Sequence, residues 1–172
     1  MVGNPNKNMK RSISAFALFL YLASSAVTAC EAPATACAAA SEGGFPLVEN
    51  GQPVSVVLDA SADPAVQRVA RSFAKDLERV SGNRARVFEN PGQLEFPVVL
   101  IGIAGESVLI DGLVKAGKIQ IDRLDGQWEA FHIAVVPDPW PGVESALVIV
   151  GSDRRGAVFG TYDLSGQIGV SP

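Results

Sequence analysis

Pro97 to Ile103 (PVVLIGI) and Ala146 to Val150 (ALVIV) are almost uninterrupted apolar runs of strand length. A strand with one wet face alternates apolar and polar residues. A continuous run must instead be covered on both faces, and the usual cover is helices packed on a sheet. These two runs therefore demand helices, and the sequence between and around them supplies the signals.

Asp63-Pro64 sets an N-cap acid before a proline at the first helical position. Val66, Val69, Ala70, Phe73, Leu77 and Val80 follow at three- and four-residue spacing, one apolar face of a helix that Gly82 closes. A second helix is expected over about Ser107 to Ala116, ending at Gly117, and a third over about Arg155 to Gln167 with Val158, Phe159, Tyr162 and Ile168 as its apolar members. Further strands are expected at Val54–Leu58, at Arg84–Phe88 with outward arginines, and at Trp128–Val136. Pro137 to Gly142 holds three prolines and reads as a loop. The order β-α-β-β-α-β-β-α predicts a single α/β (α+β) domain: a mixed β-sheet with about three helices packed on it. At 172 residues and 48% hydrophobic, the chain has material for one core.

The first residues differ in kind. Lys7, Lys10 and Arg11 precede an apolar run, Ile13 to Ala23, and small residues follow to Ala29. That order reads as a secretory signal peptide over residues 1–29, and the run is well short of the ~20 residues that cross a bilayer. Met9 is an alternative start. Val27-Thr28-Ala29-Cys30 resembles the lipobox of bacterial lipoproteins, which makes Cys30 a candidate lipidation site against ordinary cleavage nearby. Export to the periplasm, the outside or the outer membrane as a lipoprotein is expected, with membrane contact only through such an anchor. Residues 30–44 are rich in Ala, Gly and Pro and read as a flexible tether, so the domain is placed at 45–172. Cys30 and Cys37 both precede the fold, which excludes a disulfide scaffold and a cysteine-based zinc site.

Without residues 1–29 the chain keeps 11 basic and 18 acidic residues, a net charge of −7. That balance sets nucleic acid and anionic lipid aside as partners of the domain. The chain stops at Val170-Ser171-Pro172, directly after its last helix. An apolar residue and a proline read as the opening of a connection, so a truncated chain is expected.

The most informative candidate site is the turn from the last apolar run into the last helix, Gly151-Ser-Asp-Arg-Arg-Gly156. A strand, a glycine-bounded loop and a helix start are the parts of a phosphate cradle, and the glycine spacing matches a Walker A loop. The match fails where Lys and Ser/Thr are needed, at Ala157 and Val158. Gly102-Ile-Ala-Gly105 likewise lacks the full dinucleotide fingerprint, and no cofactor is implied. Structurally, Ser152 or Asp153 caps the helix and the glycines permit a tight turn. Arg154 and Arg155 are not explained this way, because the helix dipole disfavours cations at an N-terminus. They need a partner: Asp153, an acid elsewhere in the fold, an anionic ligand or a surface on another domain. Ser152, Asp153, Arg154 and Arg155 are thus the candidate substrate-binding or interface residues.

His132 is the single histidine, in a strand, more suited to packing or a rim than to a triad. No metal cluster is visible. Acids are plentiful (Asp59, Glu106, Asp111, Asp122, Asp125, Glu129, Asp153, Asp163), but no spacing singles out a catalytic pair. Trp128 and Trp140 suit core or loop packing better than sugar stacking.

Phe45-Pro-Leu-Val, Ser55-Val-Val-Leu-Asp59, Asp63 to Gly82, Trp128-Glu-Ala-Phe131 and above all Ala146 to Pro172 (ALVIVGSDRRGAVFGTYDLSGQIGVSP) resemble the N-terminal domain of bacterial xylan α-glucuronidases of glycoside hydrolase family 115. Gly166 departs from the resemblance, since a helix-favouring residue is expected there. The resemblance implies an α/β domain that precedes a (β/α)₈ barrel bearing the catalytic acids. The partner is then that C-terminal barrel, the substrate a glucuronoxylan reached through it, and no catalytic residue lies within 1–172. The nearest alternative is the equivalent domain of a hexosaminidase-type hydrolase. From another class comes a freestanding lipid-anchored protein that binds sugars or a protein partner.

Overall fold

The computed structural model describes residues 34–38, 43–92, 94 and 96–170. The expected signal peptide and Cys30 lie outside the described residues. A five-stranded mixed sheet forms the centre, in the order β4-β3-β5-β7-β6. Its strands are β3 (Ser55–Val57), β4 (Val87–Phe88), β5 (Val98–Ile103), β6 (Phe131–Pro137) and β7 (Ser145–Gly151). β4, β3, β5 and β7 are mutually parallel, and β6 closes one edge antiparallel to β7.

The two apolar runs are the central pair. β5 and β7 lie in register over six residues, from Val98 opposite Ala146 to Ile103 opposite Gly151. Alternate side chains feed two cores. Val99, Ile101, Leu147 and Ile149 face α1 (Pro64–Ser81) and α3 (Arg154–Gln167), while Val98, Leu100, Val148 and Val150 face α2 (Val108–Lys115) and the segment that follows it. Cover on both faces is what the continuous runs required.

α1 forms as its sequence reads. The Asp63 Oδ1 accepts from the Ala65 amide at 2.7 Å, Pro64 opens the first turn, and Gly82 ends the helix at φ 75° with its N–H on the Glu78 carbonyl. Val66, Ala70, Phe73 and Leu77 are buried; Val80, expected on that face, is instead exposed. α2 is capped by Ser107, whose Oγ accepts from the Ile110 amide at 3.2 Å.

Further features differ from the sequence reading: β6 starts at Phe131 rather than Trp128 and takes in Pro137, which pairs with Ser145 although the sequence places it in the loop. An antiparallel hairpin, β1 (Val48–Glu49) with β2 (Gln52–Pro53), precedes the sheet. Its turn is Asn50-Gly51, both at positive φ, and Asn-Gly is the pair that favours such a turn. The expected tether also touches the fold, since the Ala36 amide donates to Gln167 Oε1 at 2.7 Å. Among the described residues no helix is long and apolar enough to cross a membrane.

Candidate functional site: the corner between β7 and α3

β7 carries the chain out of the sheet at Gly151, and α3 begins three residues later at Arg154. Asp153 is the N-cap, with extended backbone and its Oδ1 accepting from the amides of Arg155 and Gly156, each at 2.8 Å. Its other oxygen accepts from the Glu129 amide at 2.9 Å. Hydrogen bonds from the Gly156 amide first, then from that of Glu129, favour the ionised carboxylate and hold Asp153 below the usual Asp range.

Ser152 does not cap the helix. Its Oγ accepts from the Ala130 amide at 3.1 Å, and its own amide donates to the Ala130 carbonyl at 2.8 Å. The glycines are not there for turn geometry either, because neither Gly151 nor Gly156 has positive φ. They are needed for close approach: a Cβ on Gly156 would stand 2.1 Å from the Ala130 carbonyl oxygen, and one on Gly151 would stand 2.1 Å from the Ala157 amide nitrogen. Residues 129–130 therefore lie directly on the first turn of α3.

This contact answers half of the arginine question. Arg155 pairs with Glu129 at 2.8 Å and lies 5.7 Å from the centre of the Phe159 ring. Arginine and glutamate are 63% and 37% exposed, so the pair contributes at most about 1 kcal/mol. Among the described residues Arg154 has no ion pair, and it is exposed. One cation is partnered within the fold and its neighbour is open to an anion.

α3 turns an unexpected side to the sheet. Its buried residues are Gly156, Ala157, Gly160, Thr161, Leu164 and Ser165. Phe159 and Tyr162, two of the apolar members read from the sequence, are 39% and 37% exposed. Gly160 explains the inversion, because a Cβ there would come within 2.9 Å of the Phe131 ring. Small residues bring the first turns of the helix against the strands, Leu164 packs into the core further along, and Phe159 and Tyr162 stay partly exposed. The helix nonetheless runs through Gly166, whose missing side chain would meet nothing.

Trp128 is 88% exposed and precedes β6, which starts at Phe131. It is held one residue from the Glu129–Asp153 hydrogen bond, at the same corner. Core packing is therefore not its role, whereas Trp140 packs partly buried against the α2-side core, as expected.

The other candidates resolve into structure. His132 pairs across the sheet with Val150. Burial, and then the nearby Arg123, lower its pKa. A small cleft opens between the carboxyl ends of β3 and β5, where the strand order reverses, lined by Asp59, Asp63, Glu106 and Ser107 among others. There the Ser107 hydroxyl donates to the buried Asp59 carboxylate while capping α2, so that pair is mutually satisfied. Among the described residues no group of three or more His, Cys, Asp or Glu is placed to hold a metal.

No family model matches the sequence, and no curated protein matches it. Solved structures do. One is described as "A novel family GH115 4-O-Methyl-alpha-glucuronidase, BtGH115A, with specificity for decorated arabinogalactans"; it is 29% identical with a TM-score of 0.54. The match covers 70% of this chain and 14% of that one. The domain is related to glycoside hydrolases. A second match, "Structure of CpGH84D", is 17% identical with a TM-score of 0.47, over 67% of this chain and 17% of that one. The chain thus spans a small part of each of these two proteins.

Proposed function

We propose that residues 45–172 are the N-terminal accessory domain of an exported α-glucuronidase, in which hydrolysis takes place on a barrel later in the same polypeptide. The observation that carries this reading is the 29% identity, over 70% of the chain, to a 4-O-methyl-α-glucuronidase of which the match is only 14%. Trp128, 88% exposed at the corner between β7 and α3, and the partly exposed Phe159 support it, since contiguous exposed apolar surface marks places where a partner docks. In this reading the Ser152–Arg155 corner faces the barrel. Ser152 and Asp153 hold residues 129–130 in place, Arg155 is braced by Glu129, and Arg154 offers its guanidinium fork to the substrate carboxylate. Residues 1–29 direct export, with Cys30 as the lipid-anchor site and 30–44 joining anchor to domain. The uronic acid is the shared element of the substrate, borne on a glucuronoxylan or on an arabinogalactan backbone.

The test is to read the coding sequence beyond Pro172 and assay the encoded polypeptide. Release of glucuronic or 4-O-methylglucuronic acid is expected, and assays on glucuronoxylan and decorated arabinogalactan oligomers identify the backbone. A stop codon directly after Pro172 overturns the reading in favour of a freestanding binding protein. Within an active enzyme, replacing Arg154 and Arg155 by alanine is expected to lower kcat/KM; an unchanged value removes the corner from the site.

A further inference from the structure

The charge of this domain is unevenly placed. Residues 68–86 hold six of the eleven basic residues found after position 29, and only two of the eighteen acids, Asp76 and Glu78. Asp76 is buried, where it accepts from Ser165 on α3 and pairs with Arg79 at 3.0 Å. Arg68, Arg71 and Lys75 follow one another on the outward side of α1 and are exposed. Among the described residues none of the three has an ion pair; the one bond that they make is from Arg71 to Gln67 Oε1, at 3.3 Å. With Pro64, Gln67 and Ser72 they line an open groove along the helix.

We infer that this face of α1 binds an extended acidic polysaccharide, one that carries uronic acid carboxylates. The spacing selects the shape of the ligand. At a rise of 1.5 Å per residue, Arg68 and Lys75 stand about 10 Å apart along the axis with Arg71 between them. Three cations in a row do not converge on one phosphate or one small anion. They match a chain that presents negative charge repeatedly along its length. The remainder of the domain is acidic and repels any broad anionic surface, so a membrane or a nucleic acid duplex cannot lie flat on it. A narrow chain lying along one helix stays clear of those acids. The groove residues include no aromatic side chain, and single-stranded nucleic acid would need stacking platforms. The choice of a uronate as the acid rests on the glucuronidase reading; the ladder of unpaired cations does not.

Electrophoresis of the chain through gels cast with 4-O-methylglucuronoxylan, or with the same xylan stripped of its uronic acid, tests the inference. The wild type is expected to be retarded by the charged polymer and not by the neutral one, and to lose that retardation at high salt. The variant Arg68→Gln/Arg71→Gln/Lys75→Gln is expected to bind about tenfold more weakly at low salt, with an unchanged circular dichroism spectrum and Tm because all three side chains are exposed. Equal migration of wild type and variant in the charged gel overturns the inference. So does binding to phosphatidylglycerol vesicles or single-stranded DNA as tight as that to the glycan. If the full polypeptide releases glucuronic acid while the gel shows no retardation, only the α1 site fails. If retardation is seen without glucuronidase activity, it is the enzymatic reading that fails.

Discussion

α1 and α3 lie side by side on the same face of the sheet, joined by the buried hydrogen bond from Ser165 to Asp76 at 2.9 Å. They use that face in opposite ways. α1 sinks Val66, Phe73 and Leu77 into the core and keeps its cations outside, so its amphipathic pattern is its packing. α3 approaches on Gly156, Ala157 and Gly160 and leaves Phe159 and Tyr162 about two-fifths exposed. The first is held by buried apolar area, roughly 1.5–3 kcal/mol for each large side chain. The second is held by closeness, with backbone near backbone and little apolar area per residue. A helix docked in this second way keeps part of its aromatic surface available for another surface.

The sharpest way to break this contrast is to exchange the two strategies. Phe73→Ala on α1 is expected to cost about 3–5 kcal/mol by leaving a cavity, whereas Gly160→Ala on α3 is expected to cost about 1–3 kcal/mol by adding volume. Urea denaturation measures both. A neutral or stabilising Gly160→Ala would mean that α3 does not need its close approach.

A smaller loss tests the corner itself. Asp153→Ala removes the acceptor for three amides and is expected to cost about 0.5–2 kcal/mol. The sign with pH follows from the lowered pKa of this carboxylate. Its contribution is present above the unfolded-state value of about 3.9 and is lost as pH falls through the native value. The stability gap between wild type and Asp153→Asn should therefore narrow on acidification below the carboxylate range. A gap that is constant with pH would show that the ionised form is not what the corner uses.

A further variant sharpens the comparison. Phe159→Ser with Tyr162→Ser should cost about 1–2 kcal/mol for the pair, less than Phe73→Ala alone, since the two residues are 39% and 37% exposed and only partly covered by the fold. The same pair in a full-length enzyme should weaken the attachment of this domain to the rest of the polypeptide, read as faster proteolysis of the connection. A large loss of stability in the isolated domain would place the two aromatics in its own core instead.

Much of this molecule could be read directly from residue order. The runs at 97–103 and 146–150 required cover on both faces, and the heptad-like spacing from Val66 to Leu77 with Asp63-Pro64 before it specified α1 nearly to its ends. Asn50-Gly51 carried the hairpin in its two letters, because positive φ at both positions is what that dipeptide tolerates. These are local facts of conformation and of affinity for water, and a sequence states them. What the corner does was not local. That Glu129 stands against Arg155, that Ser152 serves Ala130 rather than the helix, and that Gly156 and Gly160 let α3 turn its aromatics outward all depend on distances between segments more than 20 residues apart. Periodicity ranks side chains by their preference for the interior. Only the assembled strands set how much room lies beneath a helix, and there the room admitted nothing larger than a hydrogen at two positions of α3.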